Sequence, residues 1–114
     1  MKHLNKNIKV VLALSGGPDS VYLLHKLRKQ GCNIIAAHFN HKIRGKDSDL
    51  DQKFCKNLCK KYKIEFETED FDVKKYAKSK KLNLEEAARI KRYEFLSKIK
   101  AKHKAKYIIT AHHF

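Results

Sequence analysis

Ser15-Gly16-Gly17-Pro18-Asp19-Ser20 is the stretch of this chain best equipped for chemistry. It follows the apolar run Ile8–Leu14 and opens an amphipathic segment, Val21–Leu27. A strand end, a glycine turn and a helix start together make an anion site. The glycines let backbone N–H groups approach, and the helix N-terminus adds about half an elementary positive charge. The lysine of a Walker A loop is missing, and so is the Gly-x-Gly-x-x-Gly spacing of a dinucleotide-binding turn. The alternative is an ordinary capped turn, because Ser and Asp are common caps and Gly-Gly is common in turns.

Two more segments carry ionisable groups. In His38-Phe39-Asn40-His41-Lys42-Ile43-Arg44-Gly45, the two histidines stand three residues apart, but no Cys or carboxylate sits nearby at metal-ligand spacing. Either these are incidental loop histidines, or His38 and His41 contact a ligand, with Arg44 near a phosphate or carboxylate. In Leu84–Tyr93, Glu85 and Arg89 have the i,i+4 spacing of an ion pair on a solvated face. Arg89 and Arg92, on adjoining turns, could clamp an anion together. Ala87 and Ala88 permit close packing, expected here against the sheet edge. Only Arg28, Arg44, Arg89 and Arg92 occur among 27 basic residues. Where lysine covers generic charge, arginine is expected where a planar bidentate fork is needed. Arg28 is assigned to the surface.

Strand patterns cover Ile8–Leu14, Asn33–Phe39, Ile64–Glu69 (near an edge) and Lys106–Ala111. Helices are expected from Asp19 or Ser20 to Gln30, closed by Gly31, and over about Asp47–Tyr62, with Leu50, Phe54, Leu58 and Tyr62 at four-residue spacing. A short helix follows over Asp72–Lys80. Asn83 with Glu86 makes an N-cap pair for a longer helix running to about His103. This order predicts an α/β fold: a doubly wound, mostly parallel sheet with helices on both faces. Ligands in such sheets bind at the carboxyl ends of the strands, at the switch point beside the first strand. Three polar strand ends would then converge: Ser15–Ser20, His38–Arg44 and His112-His113.

At 114 residues the chain has room for one small domain. Its net charge of +15 favours a polyanionic partner, nucleic acid first and an anionic membrane surface second. Lysine as a generic solubilising residue is the alternative. Cys32, Cys55 and Cys59 form no Cys-x-x-Cys pair, and Cys55 and Cys59 read as core residues on one helix. No signal peptide and no membrane-length apolar run occurs, so a cytoplasmic location with reduced thiols is the expectation.

The hexapeptide resembles the PP-loop of ATP pyrophosphatases, which cleave ATP to AMP and pyrophosphate. The fuller set SGGPDS, HFNHKIRG with DSDLDQKF, LEEAARIKRYEFL and ITAHH runs in that order from about Val10 to His113. It resembles the N-terminal catalytic domain of the tRNA(Ile)-lysidine synthase family, and implies an adenine nucleotide alpha hydrolase-like fold. It also implies a ligation at the wobble cytidine of tRNA(Ile). ATP adenylates the C2 oxygen of the base, then the side-chain amine of L-lysine attacks C2 and AMP leaves.

On that resemblance Ser15, Gly16, Gly17, Pro18 and Ser20 belong to the phosphate cradle, and Asp19 helps hold Mg2+. Ala37 and His38 flank the adenine, His41 and Arg44 meet the substrate, and Arg89 or Arg92 steadies the reacting phosphate or the tRNA. The family continues after AHH with acidic residues, a fifth strand and tRNA-gripping domains. The expectation is therefore a sheet incomplete at its C-terminus, the front part of a catalytic domain unable to form lysidine alone, its remainder or a second subunit a possible partner. Two other readings stay open: a non-catalytic basic RNA-binding remnant, and a tRNA thiolase, although the paired cysteines of thiolases are not found.

Overall fold

The computed structural model describes residues 8–111. His112 and His113, the third expected strand end, lie outside the described residues. The elements are β1 (Lys9–Ala13), α1 (Pro18–Lys29), β2 (Asn33–Asn40), α2 (Lys46–Lys61), β3 (Glu65–Asp70), α3 (Val73–Lys80), α4 (Leu84–His103) and β4 (Tyr107–Ile109). The four strands form one parallel sheet in the order β3-β2-β1-β4. The expected α/β architecture is therefore present.

β1 is central because it is apolar on both faces, and Val10, Val11 and Leu12 are fully buried. Val10 and Leu12 meet Leu23, Leu24 and Leu27 of α1. On the opposite face Val11 packs with Phe95, Leu96 and Ile99 of α4. The chain steps outward from β1 to β2 and β3, then returns across the other face to β4. This reversal puts a switch point between β1 and β4, where a crevice opens at the carboxyl ends. No helix among the described residues is long and apolar enough to cross a membrane.

Two packing expectations are corrected. The row Leu50, Phe54, Leu58, Tyr62 does not form the inner face of α2, for Leu50 is 61% and Phe54 48% exposed. Cys55 and Cys59 face inward, as expected of core residues, against Leu14 and Ala36, and Ser48 is buried with them on this helix. Their small side chains suit a close approach to the sheet. Burial pushes the Cys55 thiol up to about 12 and the Cys59 thiol up to about 11, so both stay protonated core groups. Ala87, expected against the sheet edge, is buried against Val73 and Ala77 of α3, with Phe39 also at this contact.

The edge strand β3 carries Glu65, Glu67 and Glu69 on the α4 side, and α4 answers with a basic row. Lys98 pairs with Glu69, Lys102 with Glu67 at 2.8 Å, and His103 Nε2 with Glu67 at 2.5 Å. The Lys102 ammonium first, and His103 second, hold the Glu67 carboxyl below its ordinary 4.5. Stability from this clasp is fully present above that pH and is lost as the pH falls through the lowered folded value. Glu67→Gln is expected to cost about 1 kcal/mol at neutral pH and to flatten the acid limb. Urea titrations at neutral and acid pH check both effects.

Candidate functional site

The loop between β1 and α1 is wrapped around Ser20, which is only 3% exposed. Ser15 N–H donates to Ser20 Oγ at 3.2 Å, and the Ser20 hydroxyl donates to the Gly17 carbonyl at 3.1 Å. Ser15 Oγ accepts from Gly17 N–H at 3.2 Å and lies 3.1 Å from Ser20 Oγ. Gly16 has φ +93°, a conformation in which a β-carbon is strained. Gly17 caps α1, Pro18 occupies its first turn, and Asp19 follows as an exposed acidic residue. Val21 N–H makes the first bond inside the helix, to the Gly17 carbonyl at 3.1 Å. A helix start of this kind points its partial positive charge at the loop.

The segment after β2 is braced by Asn40, which is 1% exposed. Its amide donates to Asp49 at 2.9 Å and to Gln52 at 3.0 Å, and its oxygen accepts Lys42 N–H at 3.0 Å. Gln52 reaches on to Thr68 and Asp70 of β3, and Lys42 Nζ pairs with Asp49 at 2.9 Å. Arg44 N–H donates to Ser48 Oγ at 3.0 Å, and the Arg44 guanidinium pairs with Asp51 at 2.9 Å. This ion pair is internal to the chain and occupies the guanidinium with a carboxylate one helical turn inside α2.

The two histidines hold opposite tautomers. His38 Nδ1 lies 2.8 Å from the Leu14 carbonyl, which can only accept, so Nδ1 carries the proton. His41 Nδ1 accepts from Ile43 N–H at 3.0 Å, so there it carries none. Burial lowers the His41 pKa, helped by the charges of Arg44 and Arg92 and opposed by Asp51.

A cleft of about 510 Å³ opens at the carboxyl ends of the strands. Ser15 and Ser20 line one side and Arg89 and Arg92 another, with Ala37, His38 and His41 between them. Thus seven of the residues that the resemblance assigns to the site share one cavity. Gly16, Gly17, Pro18 and Asp19 complete the loop without lining that cavity, and Arg44 reaches it only through its partner Asp51.

The expected Glu85–Arg89 ion pair does not form. Among the described residues no carboxylate pairs with Arg89 or Arg92. Arg92 lies 5.6 Å from the Tyr93 ring centroid, while Glu85 lines the cleft separately. The sequence reading missed Asp51. Its β-carbon would lie 3.7 Å from a β-carbon placed on Gly16, which sets it directly beside the loop. Its position in DSDLDQKF, one turn past the α2 start, was the available signal. The arrangement is suited to holding a polyanion between loop amides and hydroxyls on one side and two guanidinium groups on the other.

Comparison with known proteins agrees with this geometry. A family described as the PP-loop domain matches residues 1–114. A tRNA(Ile)-lysidine synthase of Clostridium tetani is 47% identical over 113 residues, covering 96% of this chain and 24% of the relative. The Bacillus subtilis tRNA(Ile)-lysidine synthase is 41% identical over 111 residues, covering 95% and 24%. The chain therefore spans about a quarter of the length of the curated relatives it matches.

Proposed function

Because the chain belongs to the PP-loop domain family, we propose that it is the ATP-binding part of an ATP-dependent tRNA-modifying ligase. The reaction that fits is ligation of L-lysine to the wobble cytidine of tRNA(Ile), the activity for which its relatives are named. One observation carries the reading: the Ser15–Ser20 loop shares a single cleft with two arginines that no carboxylate among the described residues neutralises.

In this reading the loop's N–H groups and hydroxyls bind the ATP phosphates. Arg89 and Arg92 meet charge that grows on the leaving pyrophosphate, in a site preorganised for it. Ala37 of β2, paired with Ala13 at the end of β1, offers an apolar wall for the adenine. Asp19, exposed in the first turn of α1, supplies a carboxylate oxygen, the hard ligand that suits Mg2+. Bound there with the phosphates, Mg2+ would offset their charge. His41, which lines the cleft, and Arg44, held beside it by Asp51, would then meet the nucleic acid. The +15 charge suits a tRNA backbone, and the cytoplasm is the compartment that supplies tRNA, ATP and lysine together. Gripping the tRNA and transferring lysine are proposed to need residues outside this quarter-length stretch.

Titration with ATP plus Mg2+, followed by thermal unfolding, tests the reading. At a hundredfold excess over Kd, ligand binding adds about 2.7 kcal/mol, a shift of several degrees. The parent is expected to show that shift, and Ser15→Ala and Asp19→Asn to lose most of it. No shift in a folded parent overturns the ATP site. Binding of RNA that ignores both ATP and Asp19→Asn would favour a non-catalytic RNA-binding module instead.

A further inference from the structure

We propose that His38 is a positioning residue, whose imidazole is a strut that fixes the Leu14 carbonyl and, through it, the anion loop. The proposal rests on the ATP-binding reading above for the loop's role, but it assigns His38 a task distinct from flanking an adenine.

Leu14 is the last residue before the loop and lies past the final β1–β2 pair, Ala13↔Ala37. Its N–H still reaches the Ala37 carbonyl at 2.9 Å. Among the described residues its own carbonyl accepts only from side chains: His38 Nδ1–H at 2.8 Å, and the longer contact from the Cys55 thiol at 3.7 Å. A buried carbonyl without a donor is costly, so this bond decides where the peptide between Leu14 and Ser15 sits.

The strut is itself anchored. His38 is 5% exposed, and its backbone carbonyl accepts the Thr68 hydroxyl of β3 at 2.8 Å. Immediately downstream, Ser15 N–H and Oγ take part in the bonds around Ser20 that shape the loop. A tilt of the Leu14 peptide would therefore misplace both donors. The side chain points its proton inward at the backbone, so its contribution to nucleotide binding is transmitted through the loop.

Three substitutions separate this role from packing and from direct contact. His38→Phe keeps a ring but has no donor. His38→Asn places an amide N–H at nearly the Nδ1 position, and His38→Gln sets it one methylene further out. Two readouts are used: hydrogen exchange of the Ser15 and Gly17 amides in the ligand-free protein, and Kd for ATP with Mg2+. In His38→Phe and His38→Gln both are expected to worsen by about tenfold, while His38→Asn stays within about twofold of the parent.

The strut is overturned if His38→Phe leaves loop exchange unchanged. It is also overturned if His38→Asn fails as badly as His38→Phe, since the ring itself would then be what matters. Should His38→Phe not fold, the Asn–Gln comparison decides the question alone. A parent that binds no ATP would sink the functional reading, while loop exchange would still decide the strut.

Discussion

Arg89→Ala is expected to weaken binding of ATP with Mg2+ by about ten- to a hundredfold, the worth of a hydrogen bond between charged partners. Arg89 of α4 lines the same cleft as Ser15 and Ser20, and no carboxylate competes for it among the described residues. No ion pair among the described residues has to be broken before it can meet a phosphate. Arg89→Lys retains the charge but loses the planar fork, so its Kd should fall between the two. Arg92→Ala should cost less, because that guanidinium also lies over the Tyr93 ring. Calorimetric titrations at one fixed salt concentration make the comparison, since such contacts are screened. Unchanged affinity in both alanine variants would remove the arginines from the site.

The largest loss of stability is expected from Asn40→Leu, about 2–4 kcal/mol by urea denaturation. The side chain is 1% exposed and makes three hydrogen bonds, to Asp49, Gln52 and Lys42 N–H. Leucine matches its bulk but strands all three partners. Lys42 suffers most, since the bond to Asn40 helps hold it at φ +60°, where a side chain is disfavoured. Gln52→Ala, which cuts a half-exposed branch of the same network, should cost less. A change within about 0.5 kcal/mol for Asn40→Leu would show that the segment after β2 is braced by something else.

Much of the fold was legible because its signals are local. Apolar runs of strand length marked β1 and β2, and Asn83 accepts the Glu86 N–H at 2.7 Å as its capping spacing required. The glycine turn announced the loop because Gly16 takes a backbone conformation other residues resist. The winding followed from element order alone, since crossovers between parallel strands are almost always right-handed. That rule was enough to bring the first two strand ends to one crevice.

Tertiary structure decided the rest. Cys55 and Cys59 are the core residues the sequence suggested, but the distance to the sheet left Leu50 and Phe54, on a row of the same four-residue spacing, outside. Glu85 and Arg89 satisfy the spacing of an ion pair, yet both line the cleft without pairing. Asp51 reaches the loop across a helix–sheet contact that no sequence separation encodes. His38 could have pointed its proton at a ligand, and an unpaired carbonyl at the end of β1 turned it inward. In each case the chain's local pattern limited which groups could act. Packing then chose among them, because desolvation and hydrogen-bond geometry depend on neighbours distant in the chain.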